Sequence, residues 1–188
     1  DFSNQKLGTY TEVNNPVATN NAKIKTVETF FYDHTGRVRG AAHNINDLNL
    51  QVSPTNFNYD ELGRLANKNF SNGMVPSVEF DYNVRGWITG INKNYCIYKS
   101  TDQTFGMEIS YDHGYSTNYF NGNIAGIKWL NSGKSRELRS YGYTYDAYNR
   151  LQSGDFVMQY DNGSTITPWS SSSRDFSASN MLYDENGN

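Results

Sequence analysis

One short pattern constrains this chain more than any other: Tyr, then Asp or Asn, two free positions, then Gly or Asn. It occurs at five places, Tyr32-Asp33-His34-Thr35-Gly36, Tyr59-Asp60-Glu61-Leu62-Gly63, Tyr82-Asn83-Val84-Arg85-Gly86, Tyr145-Asp146-Ala147-Tyr148-Asn149 and Tyr183-Asp184-Glu185-Asn186-Gly187. Chance at this composition gives about 0.6 matches, so five mark an internal repeat. Successive motifs lie 27, 23, 63 and 38 residues apart. The longest gap holds the degenerate units Tyr111-Asp112-His113-Gly114 and Asn121-Gly122-Asn123-Ile124, and a shortened turn follows at Tyr160-Asp161-Asn162-Gly163.

The pattern is that of a tight hairpin. Asp or Asn at the first turn position accepts a hydrogen bond from the backbone ahead, and Gly or Asn at the fourth tolerates the left-handed conformation that closes a type I turn. Alternation flanks the turns: Val78, Phe80 and Tyr82 share one face, as do Arg139, Tyr141, Tyr143 and Tyr145. A second strand follows each turn, as at Arg37-Val38-Arg39, Arg64-Leu65-Ala66, Trp87-Ile88-Thr89, Ile124 to Trp129 and Arg150-Leu151-Gln152. Fifteen Tyr and ten Phe favour pleated strands, and sixteen Gly with 25 Asn supply turns. The fold expected is all-β, successive antiparallel hairpins in an open sheet with little or no helix.

Charge and cysteine content narrow the function. A net charge of −3 without a basic block argues against nucleic acid as a partner. No apolar run approaches the roughly 20 residues of a membrane-spanning helix, so the chain is not expected to span a membrane. A single cysteine, Cys96, excludes an internal disulfide and multi-cysteine zinc sites. Residues 1–26, rich in Asn and other turn formers, read as an irregular or edge-strand segment, and residues 27–188 as the hairpin array. Pro168 and Ser170 to Ser173 suggest a polar connector near residues 168–180. The sequence stops just after its last turn, which suggests a piece of a longer array.

The motifs, with Arg and an apolar residue after the turn at Gly36-Arg37-Val38, Gly63-Arg64-Leu65 and Asn149-Arg150-Leu151, resemble the YD repeat of the Rhs and YD-repeat family. Tyr183 to Asn188 is similar to that repeat's Asn-Gly-Asn variant. Phe80 to Asn92 is similar to a segment common in such proteins of Bacteroidetes-type bacteria. The resemblance covers residues 27–188. It implies a curved or spiralling β-sheet in a secreted or cell-surface bacterial protein, either a shell wall around a toxin or a surface that contacts cells and carbohydrate. The partners implied are the remainder of the polypeptide or its toxin cargo. The self-cleaving core of the toxin branch carries an Asp-Pro signature, and this sequence has no Asp-Pro, so self-cleavage is not expected. About six to eight hairpins are, by the resemblance, too few to close a shell, and the sheet edges are expected to be exposed or paired edge to edge with another copy.

The chemistry-bearing residues are few. His34 and His113 each follow an Asp in a turn, but neighbouring strand residues face opposite ways and turn positions are solvated, which argues against a metal or acid–base pair. Cys96, in Tyr95-Cys96-Ile97-Tyr98, has no partner motif and reads as a small buried filler. The Asp residues are mostly committed to turns, which argues against a hydrolytic carboxylate pair. No catalytic residue, metal or cofactor is expected. The residues with assignable roles are those of the repeat: Tyr32, Asp33, Gly36 and Arg37; Tyr59, Asp60, Gly63 and Arg64; Tyr82, Asn83 and Gly86; Tyr145, Asp146, Asn149 and Arg150; Tyr183, Asp184 and Gly187. The motif tyrosines are expected to stack on one another, and each motif Arg to reach a carboxylate of the adjacent unit or solvent. Trp87, Trp129 and Trp169 are the candidates for stacking on a sugar face, with Trp87 and Trp129 read as core and Trp169 as exposed.

Overall fold

The computed structural model describes residues 4–15, 17, 23–46, 51–70, 75–98, 103–132, 136–161, 165–171 and 173–187. It is all-β apart from one six-residue helix, and the chain divides into two compact units, Asp1–Val78 and Glu79–Asn188. The first unit holds β1 (Gly8–Asn14), β2 (Lys23–Tyr32), β3 (Val38–Ile45), β4 (Gln51–Tyr59) and β5 (Leu65–Phe70). Each strand pairs antiparallel with the next, so the sheet is an open meander. The segment up to residue 26 thus contributes edge strand β1 and the start of β2.

The second unit repeats the plan with β6 (Val78–Tyr82, beginning at the boundary), β7 (Ile88–Ile91), β8 (Phe105–Ser110), β9 (Gly126–Asn131), β10 (Glu137–Tyr145) and β11 (Leu151–Tyr160). All neighbours are again antiparallel. Helix α1 (Lys93–Tyr98) joins β7 to β8 and drops Tyr95 and Cys96 onto Leu130 and Leu138, which together form a buried apolar cluster. Asn92 sets up the helix. It adopts φ 45°, its Oδ1 accepts from Glu79 N at 2.8 Å, its Nδ2 donates to Phe105 O at 2.9 Å, and its carbonyl accepts from Tyr95 N. Every polar group of this 6%-exposed side chain is therefore satisfied, as burial demands.

Tyr115, in the loop between β8 and β9, lies against the paired Gly126 and Gly142 of β9 and β10. Its hydroxyl meets Ser140 Oγ at 2.8 Å, and that Oγ donates to Ile127 O at 3.0 Å. A Cβ at Gly126 would sit 2.3 Å from the Tyr115 ring, so this position admits only glycine while the loop stays down.

Along the edge beyond β11 the described residues after Asp161 double back. Three isolated bridges, Asp161↔Ile166, Met158↔Ser170 and Gly154↔Ala178, fasten this return strap, with Phe156 N donating to Ser177 Oγ at 2.8 Å. The polar connector is thus an edge cover, one of the ways a sheet avoids uncontrolled strand addition.

Candidate functional site

The described motifs share one turn geometry. Across the second to fifth residues of each, the Asp or Asn carbonyl accepts from the Gly or Asn amide three residues on, at 2.9–3.0 Å for Gly36, Gly63, Gly86, Asn149 and Gly187. Those five residues take φ of 85°, 79°, 81°, 63° and 84°, the left-handed region the sequence requires of them. The side-chain Oδ1 of Asp33, Asp60, Asn83 and Asp146 then accepts two backbone amides, two and four residues ahead, at 2.8–3.0 Å. One residue beyond, the second strand carries a single-residue bulge in all four complete hairpins: Tyr32 pairs with Val38 but Phe31 with Gly40, and the same step occurs at Tyr59, Tyr82 and Tyr145.

The arginine and the tyrosine complete a latch between repeats. Arg37, Arg64 and Arg150 donate from Nε to Oδ2 of the Asp in their own turn, at 2.8, 2.6 and 2.7 Å, not to a neighbouring unit. The Arg37 guanidinium lies 4.5 Å from the ring centre of Tyr59, the tyrosine of the next motif, and Arg150 lies 4.6 Å from Tyr183 in the same way. The tyrosine hydroxyl reaches back: Tyr59 donates to Val38 O at 2.7 Å and Tyr183 to Leu151 O at 2.6 Å. Tyr111 and Tyr145 do the same to Ile88 O and Ile124 O, both at 3.0 Å. Tyr59 and Tyr183 are therefore not stacked on another motif tyrosine; each is covered by the preceding motif's arginine and tied by its hydroxyl to that repeat's backbone.

Tyr82-Asn83 departs from the rule in two places at once. Asn83 lacks the carboxylate an arginine needs, and Trp87 stands where arginine would. Trp87 takes over the covering role, its ring 5.0 Å from that of Tyr111. Arg85 lies over the outer side of Trp87 at 5.0 Å and donates to Phe120 O.

Hydrogen bonds hold these turn carboxyls below the usual carboxylate range. For Asp146 the Arg150 amide contributes most, ahead of the opposing effect of burial and the Arg150 side chain. For Asp33 the Thr35 hydroxyl leads.

Among the tryptophans, Trp87 is half-buried and Trp129 half-buried beside Tyr141, with ring planes 14° apart; Tyr141 in turn lies parallel to Tyr143 within 11°. Trp169, on the strap, is 39% exposed. It borders a groove of about 630 Å³ between strap and sheet, lined also by Glu137, Met158, Tyr160, Thr167, Ser170 and Ser173. Glu137 Oε2 accepts from Arg139 Nη2 at 2.9 Å and has Arg174 Nη1 at 3.9 Å. An indole face, hydroxyls and a carboxylate with two guanidinium partners thus converge on one concave surface.

Cys96 is 4% exposed, and burial pushes its thiol up to about 11. His34 is exposed in its turn, and His113 pairs only with its exposed neighbour Asp112. Glu108 is gripped by Lys93 at 3.0 Å and Lys128 at 3.1 Å. Among the described residues no three His, Cys, Asp or Glu side chains gather to hold a metal.

Sequence reasoning missed two elements here. Glu137 lines the groove and Arg174 reaches that carboxylate from a distant position, and neither carries a spacing signal. Asn46 and Asn92 clamp the far ends of their hairpins, each with positive φ and its Oδ1 accepting an amide of the opposite strand, from Lys25 and Glu79. Both follow an isoleucine, Ile45 and Ile91, and that Ile-Asn pair is the signal.

No protein-family model matches this chain, and no curated protein is similar to it.

Proposed function

We propose that this chain is a non-catalytic structural segment of a larger secreted or cell-surface YD-repeat protein, a β-hairpin scaffold or wall whose partners are the rest of its polypeptide and any cargo it encloses. The observation that carries this reading is the latch: the residues that define the motif are spent joining one repeat to the next. A cation over an aromatic ring contributes about 0.5–1 kcal/mol at an exposed site, and a hydrogen bond about 0.5–1.5 kcal/mol. Repeated along an array, such nearest-neighbour terms are what gives a repeat protein its rigidity.

A second reading, a carbohydrate-binding surface module, is favoured by the Trp169 groove alone. An indole face complements the apolar face of a pyranose, and the Glu137–Arg139 pair with Thr167, Ser170 and Ser173 can hydrogen-bond its hydroxyls. The two readings separate in one experiment: a panel of bacterial and host polysaccharides followed by tryptophan fluorescence and by release of reducing ends. The scaffold reading expects neither a saturable signal nor release. Saturable binding weakened at least about tenfold by Trp169→Ala, a loss of roughly 1.4 kcal/mol, would replace it with the second reading. Release abolished by Glu137→Gln would overturn the non-catalytic assignment.

A further inference from the structure

The first described residues behave as the closing half of a repeat whose opening strand is not among the five motifs. Asn4 has φ 59°, close to the 63° of Asn149 at the fourth turn position. Lys6 O accepts the Tyr32 hydroxyl at 2.7 Å, as Val38 O accepts that of Tyr59 at 2.7 Å. Gln5 stands where arginine stands elsewhere. A Cβ built on Gly36 would lie 2.9 Å from Gln5 Nε2, and one built on Gly63 would lie 3.2 Å from Arg37 Nη1. In sequence, Asp1-Phe2-Ser3-Asn4-Gln5-Lys6-Leu7-Gly8 aligns with Asp33-His34-Thr35-Gly36-Arg37-Val38-Arg39-Gly40, including the glycine at its end.

We infer that the outer edge of β1 is a strand-acceptor site, and that its occupant is an antiparallel strand of the kind that opens the other repeats, delivered in line with Asp1. The register follows from the four complete hairpins. The last residue of the opening strand pairs six residues on, as Tyr32 does with Val38, and the one before it pairs nine residues on across the bulge, as Phe31 does with Gly40. The incoming strand therefore places its last residue opposite Lys6 and the preceding one opposite Gly8, with Leu7 bulged.

The edge is suited to this. Phe30 N donates to Leu7 O, so alternation turns the backbone groups of Gly8, Glu12 and Asn14 to the outer side. Among the described residues no strand pairs there, whereas in the second unit the edge at β11 carries the bridges of the return strap. β1 is also largely exposed, with Val13 at 56%. The inference stands on repeat geometry and does not depend on the scaffold reading.

The test appends a copy of the β10 sequence, Glu137–Tyr145, directly before Asp1, so that its tyrosine enters the turn, and follows amide hydrogen exchange by NMR. Exchange at Gly8, Glu12 and Asn14 is expected to slow by about tenfold or more. A second chain with one glycine inserted before Asp1 shifts the pairing by one residue, reverses the faces, and is expected to lose most of that protection. Circular dichroism identical to the parent confirms that both chains fold. Unchanged exchange at Gly8 and Glu12 in the in-register chain would overturn the proposal. So would protection that appears in the parent chain with rising concentration, because a second copy would then be the natural occupant.

Discussion

Leu130→Ala is expected to lower the unfolding free energy of the Glu79–Asn188 unit by about 2–5 kcal/mol, the range for emptying a buried leucine site. Leu130 is 2% exposed and is the largest fully buried side chain among the described residues, and it packs with Tyr95, Cys96 and Leu138. Most described residues of the surrounding strands are only half-buried, so few buried neighbours can close into the void. The effect has a chemical readout as well. Cys96 in the parent is buried with its thiol pushed up to about 11, so at neutral pH it carries almost no thiolate and resists alkylation. Removing Leu130 detaches the floor beneath α1, and Cys96 labelling should accelerate by tenfold or more. Denaturant unfolding and iodoacetamide labelling check both. A change under about 1 kcal/mol with unchanged labelling would show that α1 is held by something other than this cluster.

Trp87→Ala is expected to cost about 2–4 kcal/mol, because it removes both the ring covering Tyr111 and the surface on which Arg85 and the Gly122 turn rest. The latch predicts how to repair it. Trp87→Arg alone places a guanidinium over Tyr111 without a carboxylate to aim it, since Asn83 offers only an amide. Adding Asn83→Asp recreates the pairing seen at Asp33–Arg37, Asp60–Arg64 and Asp146–Arg150. The double variant should be more stable than the sum of its single changes by about 0.5–1 kcal/mol, while falling short of the parent because arginine cannot fill the space against Gly122. Strict additivity in thermal unfolding would show that Asn83 and Trp87 are unrelated substitutions.

How much of this was legible in the sequence depends on where the partner of each residue lies. Asp at the first turn position and Gly or Asn at the fourth bond within five residues, so the motif fixes them: Asp146 accepts from Tyr148 and Arg150 amides, and Asn149 takes positive φ. The strands followed from alternation, as for Val78 to Tyr82. The tyrosine's role was misread because its partner is a backbone carbonyl, Val38 O for Tyr59, and a carbonyl leaves no mark in sequence. For the arginine, a long free guanidinium leaves the adjacent unit and solvent equally open; the bulged turn instead brings Arg150 Nε within 2.7 Å of its own Asp146. The stretch Asp1 to Gly8 lacks the tyrosine that marks the other motifs, although Asp1, Asn4 and Gly8 hold the spacing of Asp33, Gly36 and Gly40. The groove depends on a strap pairing through isolated bridges, which carries no periodicity at all.

The central claim is that the motif's Arg and the next motif's Tyr form one energetic unit, and a double-mutant cycle on Arg37 and Tyr59 tests it most directly. Their geometry is a 4.5 Å approach of guanidinium to ring, with the Tyr59 hydroxyl on Val38 O at 2.7 Å. Unfolding of the parent, Arg37→Met, Tyr59→Leu and the double variant should yield a coupling of about 1 kcal/mol, with Tyr59→Phe alone losing about 0.5–1.5 kcal/mol for the hydroxyl. Single effects that add to within about 0.3 kcal/mol would contradict the latch.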